Sequence, residues 1–307
     1  MDKVARVTTF PTGQQYEVSA GEHRAIITEV GATLRSYAVG GRDVVRGFAP
    51  EAVIKGGRGQ NLLPWPNRLR DGKYTFDGVD QQLVLSEPAR HNAIHGLVRH
   101  IAWVLVEHAA DSITQRVRVY PQPGWAGMLE AVVTHRVGPS GLEVELRATN
   151  LGEADVPFGY AAHPYLTVGE GTVDEVRLTV PAGSYLEVDD RLLPAAVVPV
   201  AGTALDWRAG AVLGEANLDM AYSDLVRGAD GRWRVRLELG DRYAELWADE
   251  TMGWAQVFTG GPYRDWGVAV EPMTCGPNAF NPGPTHADLL RLAPGTDFVA
   301  RWGVVGI

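Results

Sequence analysis

Apolar and polar residues alternate with a period of two along most of this chain. HRAIITEV (23–30), QQLVLSE (81–87), QRVRVYP (115–121), EAVVTHRV (130–137), LEVELRAT (142–149), EVRLTV (175–180), RWRVRLEL (232–239), YAELWAD (243–249) and WAQVFTG (254–260) each read as a strand with one buried face. Turn chemistry separates them, as at Asp71-Gly72, Asp77-Gly78 and Pro139-Ser140-Gly141. Helical periodicity is almost absent, with a turn or two expected near Asn281 to Leu290. The pattern predicts an all-β protein, a large antiparallel β-sandwich with very little helix. No repeat, low-complexity tract, linker or composition shift divides the chain, so a single domain over residues 1–307 is expected.

One stretch departs from the alternation. In DWGVAVEPMTC (265–275) the apolar run Gly267 to Val270 delivers a carboxylate, Glu271, directly in front of Pro272. This predicts a buried strand that ends on a lone acid. Burial desolvates a carboxylate and raises its pKa, an arrangement more often found at functional sites than in plain structure. Glu271 is therefore a candidate catalytic base.

Composition narrows the function classes. A net charge of -9 argues against nucleic acid or an anionic membrane as partner, because both require a basic footprint. A neutral ligand is compatible with it. With one cysteine, Cys275, no intrachain disulfide and no multi-cysteine metal site can form. Cys275 reads as a packing residue rather than a nucleophile. The opening MDKVARVTTF lacks the apolar core of a signal peptide, and no stretch approaches the ~20 apolar residues needed to span a bilayer. A cytoplasmic location is expected.

Four polar clusters interrupt the strand pattern. In NLLPWPNRLRDGKYTFDG (61–78), Asn67 and Arg68 follow a proline-stiffened Trp65. They form either a donor fork beside an aromatic face, suited to a sugar, or an ordinary solvated loop. In ARHNAIHGLVRH (89–100), His91 and His95 have helical metal-pair spacing, but Pro88 and Gly96 argue against a helix. His95 then reads as a neutral imidazole that hydrogen-bonds a ligand, and no metal is expected. In VPFGYAAHPYL (156–166), His163 precedes Pro164, which biases it towards extended backbone, among Tyr160 and Tyr165. In NLDMAYSD (217–224), Asp219 lies between Leu218 and Met220, where it can cap a turn or accept hydrogen bonds from ligand hydroxyls.

Taken in order, NLLPWPNRL, NAIHGLV, PFGYAAHPYL, NLDMAY and VAVEPMT resemble the aldose 1-epimerase (galactose mutarotase-like) family. The resemblance implies a large β-sandwich that interconverts the α and β anomers of a free aldohexose such as glucose or galactose, without cofactor. It also implies roles: Glu271 as base, His163 as acid, His95 as the group that holds and polarises the sugar, and Asn67, Arg68 and Asp219 as binders of its hydroxyls. A monosaccharide is then the expected partner, with the chain a monomer or homodimer. The segment HGLVRHIAW leans towards the hexose-6-phosphate 1-epimerase branch, where Arg68, Arg70 or Arg99 would supply phosphate contacts. Two other classes stay open. A non-catalytic carbohydrate-binding module has no use for an acid/base pair. A glycoside hydrolase needs a second carboxylate facing the first, for which Asp219 is the candidate.

Overall fold

Two antiparallel sheets face each other across a shared apolar core in the computed structural model, which describes residues 9–169 and 171–307. The larger, twelve-stranded sheet runs Gln15–Ala20, His23–Thr28, Leu34–Val39, Arg42–Val45, Tyr165–Leu166, Val268–Met273, Trp254–Phe258, Asp219–Leu225, Ala182–Val188 and Pro194–Pro199. The short strands Asn61–Leu62 and Ala161–Ala162 attach beside its centre. The nine-stranded sheet runs Val104–His108, Ser112–Val119, Leu129–Gly138, Gly141–Asn150, Asp297–Gly306, Arg242–Ala248, Trp233–Leu239, Arg177–Thr179 and Ala211–Val212. The expected all-β sandwich is what forms. Helix among the described residues is confined to short 3-10 turns, including His286–Asp288 inside the stretch expected to turn, and no helix is long and apolar enough to cross a membrane.

The period of two sets the layers. On Leu129–Gly138, residues 129, 131, 133, 135 and 137 are buried while Arg136 faces water. A polar chain ties the sheets together at the centre. The Trp302 indole donates to the Tyr160 hydroxyl at 3.1 Å, which donates to Asn61 Oδ1 at 3.0 Å. Satisfied in this way, these buried groups fix the depth of the segments that carry the polar clusters.

Two expectations require correction. QQLVLSE contributes a strand only as far as Gln82, the end of a hairpin of Lys73–Phe76 with Val79–Gln82. Beyond it, Leu83 is tied back through its N–H to the Gly72 carbonyl at 2.7 Å, and Glu87 leads into the 3-10 turn Pro88–Arg90. The alternation there reflects an extended segment whose alternate side chains are used individually. Second, the strand bearing Glu271 does not end on it but continues through Pro272 to Met273. Val270 N–H donates to Pro164 O at 3.1 Å and Thr274 N–H to Tyr160 O at 2.9 Å, so residue 272 would donate on the same side. That side is where Ala161–Ala162 gives way to Tyr165–Leu166, a break in the ladder that tolerates a proline.

His135 is buried on the inward face of its strand, and desolvation pushes its imidazole down to about 3. Between its ordinary pKa of 6.5 and about 3, the unfolded chain takes up a proton that the folded chain does not. Stability contributed by this site is therefore present above pH 6.5 and lost as pH falls towards 3. Urea unfolding should show a loss of up to about 1.4 kcal/mol per pH unit from it across that window. His135→Leu should flatten that part of the profile; identical slopes in the two proteins would remove His135 as the cause.

Candidate active site

Val268–Met273 is buried at all six positions because it lies mid-sheet with both faces covered. Val268 and Val270 point into the main core, which sends Ala269, Glu271 and Met273 to the outer face. Cross-strand register then sets Gln256 directly opposite Glu271, and Ala221 opposite Gln256. Asp219 enters at the near end of the next strand, opposite Phe258. The outer face of these three strands forms the floor of a cleft of about 550 Å³.

His163 comes to Glu271 from the neighbouring break. Its N–H donates to Gln60 O at 3.1 Å and its carbonyl accepts from Gly59 N–H at 2.8 Å, so the 57–60 segment clamps its backbone. The ring stacks on Tyr165, with centroids 5.4 Å apart and planes 16° from parallel. Gly57 passes beneath it with φ at +68°, and a Cβ there would lie 2.6 Å from the imidazole. The result is a contact of 3.1 Å between His163 Nε2 and Glu271 Oε1, with the residues 5% and 3% exposed. Glu271 Oε2 and His163 Nδ1 are buried and without a hydrogen-bond partner among the described residues.

Burial dominates the electrostatics of this pair. It drives the Glu271 carboxyl well above the usual carboxylate range; nearby Asp219 adds to the rise and Arg68 opposes it. Burial also drives the His163 imidazole down, with the Arg99 charge acting in the same direction. The pair favours its uncharged form, a protonated Glu271 beside a neutral His163.

The opposite wall comes from residues 61–99. Asn67 and His95, both with positive φ, grip each other: Asn67 N–H donates to His95 Nδ1 at 3.2 Å, and His95 N–H donates to Asn67 O at 2.8 Å. An accepting Nδ1 leaves the proton of a neutral imidazole on Nε2. Burial, with Arg99, His163 and Arg68 nearby, holds His95 in that neutral state. Arg68 gives Nε and Nη2 to Glu87 at 2.9 and 3.1 Å, leaving Nη1 with a contact to Asn67 Oδ1 at 3.3 Å. The structure thus brings all six sequence-selected residues, Asn67, Arg68, His95, His163, Asp219 and Glu271, into one cleft.

Other candidates do not join them. Trp65 is no platform; it is 2% exposed and packs edge-on to Phe280. His91 faces solvent and pairs with Asp71 at 2.9 Å, so it forms no pair with His95. Arg70 turns to Asp189 at 3.7 Å, outside the cleft. Cys275 is buried, its thiol pushed up to about 12 by desolvation. Among the described residues, no group of three His, Cys, Asp or Glu side chains is arranged to hold a metal ion.

The sequence model of the aldose 1-epimerase family matches residues 14–301. The chain belongs to the aldose 1-epimerase family. It is 32% identical to the uncharacterized protein YihR of Escherichia coli K12 over 92% of this chain and 90% of that one. Galactose mutarotase of Rattus norvegicus is 33% identical across 48% of this chain and 44% of its own length. In structure, the GalM/aldose epimerase homologue from C. elegans superposes with a TM-score of 0.83 at 20% identity, covering 96% and 98% of the two chains. That likeness places the two-sheet fold within the family's architecture.

Sequence reading passed over several residues that line the cleft of this family member or lie beneath it. Gln256 donates to Asp219 Oδ1 at 2.6 Å and accepts from Asn67 Nδ2 at 3.5 Å, linking the two walls across the floor. Its only signal was being the sole polar residue in the apolar strand WAQVF. Glu87, which orients Arg68, had no signal beyond preceding Pro88. Phe258 and Tyr263 are the aromatic rings that line the cleft.

Nitrogen NMR of the imidazoles should find His95 and His163 uncharged at pH 6.5, the ordinary imidazole value, and still uncharged as the pH falls below it, with the His95 proton on Nε2. A His95 signal titrating near its ordinary value would show the Asn67 clasp to be open in solution.

Proposed function

We propose that the protein is an aldose 1-epimerase that interconverts the α and β anomers of an aldohexopyranose by acid/base ring opening. The observation carrying this reading is the Glu271–His163 contact, buried at the floor of a cleft, with Glu271 Oε2 still free to accept a proton. The anomeric oxygen O1 and the ring oxygen O5 are both bonded to C1, so a base and an acid in contact can address both at once.

In the opening step the Glu271 carboxylate takes the O1 proton. The C1–O1 bond becomes a carbonyl, the C1–O5 bond breaks, and O5 receives a proton from His163. Rotation about C1–C2 turns the aldehyde over, and the reverse transfers close the ring on its other face. The pair begins as carboxylate and imidazolium and ends as carboxylic acid and imidazole. Both forms hold one proton, so a shift along the 3.1 Å hydrogen bond interconverts them. Desolvation favours the uncharged form, which lowers the cost of ring opening. Arg68 and the hydroxyls of a bound sugar favour the carboxylate that begins the cycle. His95, donating through Nε2, is suited to O5, while Asn67, Arg68 Nη1 and Asp219 are suited to the hydroxyls.

A carbohydrate-binding module gains nothing from a buried acid/base contact. A glycoside hydrolase needs a second free carboxylate, and Asp219 is engaged by Gln256 at 2.6 Å. Glu271→Gln and His163→Asn should each lower the rate of anomer exchange by roughly 10²–10⁴. Polarimetry on fresh α-glucose and α-galactose, alongside circular dichroism to confirm folding, reads this out. A wild-type rate in either folded variant overturns that residue's assignment. Asp219→Asn should act mainly through a raised KM.

A further inference from the structure

Glu87 decides where the Arg68 fork points, and its carboxylate has no acceptor to spare. Oε2 accepts from Arg68 Nε at 2.9 Å and from Asn92 Nδ2 at 3.1 Å. Oε1 accepts from Arg68 Nη2 at 3.1 Å and from Arg90 Nη1 at 3.0 Å. The segment that carries Glu87 closes on itself, with Glu87 N–H donating to Asn92 O at 2.9 Å and Asn92 N–H to Glu87 O at 3.1 Å. Within it, the 3-10 turn Pro88–Arg90 buries none of its residues, so apolar packing does not hold this wall in place. Polar contacts from another element have to do so.

Arg191 supplies four of them. Its Nε donates to Arg90 O at 3.0 Å, and its Nη2 to His91 O at 2.8 Å, Asp71 Oδ1 at 2.8 Å and Asn92 Oδ1 at 3.2 Å. Asn92 completes the link, turning its Nδ2 to Glu87 and, at 3.2 Å, to the Arg191 carbonyl. A guanidinium only donates and a carboxylate only accepts, so Arg191 on one side and Glu87 on the other fix which way the Asn92 amide faces. Arg191 is itself firmly placed. It stands at the tip of the hairpin of Ala182–Val188 with Pro194–Pro199. There Asp189 Oδ1 accepts from the N–H of Arg191 at 2.9 Å and of Leu193 at 3.0 Å, and Leu193 is fully buried. Ala182–Val188 runs antiparallel to Asp219–Leu225, with Tyr185 opposite Tyr222, so the tip emerges at the Asp219 end of the floor. Arg191 therefore ties the floor to the wall that carries Glu87, while standing outside the cleft lining itself.

We infer that Arg191 is a positioning residue of the cleft: acting through Asn92 and Glu87, it fixes the Arg68 guanidinium for its contact with the sugar hydroxyls. This rests on the aldose epimerase reading above. The test is a double-mutant cycle, read in anomer exchange of glucose and galactose by NMR exchange spectroscopy. Arg191→Met should raise KM roughly 10-fold, with kcat within about threefold of wild type. In an Arg68→Met background the same change should move KM less than about twofold, because the residue it acts through has gone. Arg191→Lys keeps a donor for Asp71 but not the planar fork, and should fall between wild type and Arg191→Met. A second readout needs no substrate. The Arg68 Nε–H signal in nitrogen NMR, slow to exchange with water while Glu87 clasps it, should exchange roughly 10-fold faster in Arg191→Met. Equal KM effects in the two backgrounds, a lowered kcat with unchanged KM, or an unmoved Arg68 signal each overturns the proposal. Should Arg191→Met not fold, Arg191→Lys carries the same cycle with the same outcomes. Failure of the wild type to accelerate exchange of either sugar overturns the epimerase reading instead, and the Arg68 signal then decides the link from Arg191 by itself.

Discussion

The 3.1 Å contact between a buried carboxylate and a buried imidazole constrains everything around it. Neither group can ionise alone in that setting without losing the solvation that water would give it, so each depends on the other for its proton. Such a pair persists only if the backbone leaves it no means of drifting apart. Glu271 is fixed by a strand paired on both edges, and His163 by hydrogen bonds through both its N–H and its carbonyl to residues 59 and 60. Gly57 allows that clamp to close because any side chain there would collide with the ring. Even Pro272, a poor residue for a central strand, falls where the neighbouring ladder is broken and no donor is required.

The remaining walls are built on the same logic of mutual restraint. Asn67 and His95 exchange backbone and ring hydrogen bonds that settle where the His95 proton sits. Glu87 holds the fork of Arg68, and Gln256 spans from Asp219 to Asn67 across the floor. Few of these groups retain unused hydrogen-bonding capacity. Those that do include Glu271 Oε2, His163 Nδ1 and His95 Nε2, and of these Glu271 Oε2 and His95 Nε2 are the ones suited to meet a ligand. Preorganisation of this kind lets small proton movements occur without rearrangement of the surroundings.

Much of this protein was legible in its linear order. A period of two is a direct consequence of strand geometry, so the strands, the layers and the all-β class could be read from alternation alone. The same rule misled at QQLVLSE, since an extended segment pinned residue by residue alternates just as a strand does. The polar clusters were equally visible, because Asn, Arg and His amid apolar runs stand out wherever they lie, and their order carried the family resemblance. Proline beside Glu271 was misleading for the opposite reason. The sequence shows the missing donor, while only the ladder shows that no acceptor awaits it.

What only the tertiary structure decided is which of those residues meet. His163 and Glu271 are 108 positions apart by their numbering, and nothing in that interval says that their strands are neighbours. Gln256 and Glu87 act through partners on other elements, so neither stood out in its own segment. The arginines separate in the same manner: 68, 70 and 99 are equivalent in sequence, but only in the folded chain are two neutralised by acids, leaving the third with its charge exposed to the cleft. Sequence fixes the chemistry each residue carries and the face of the strand it occupies. Which charges are cancelled and which remain depends on distances across the sheet, and those exist only once it has closed.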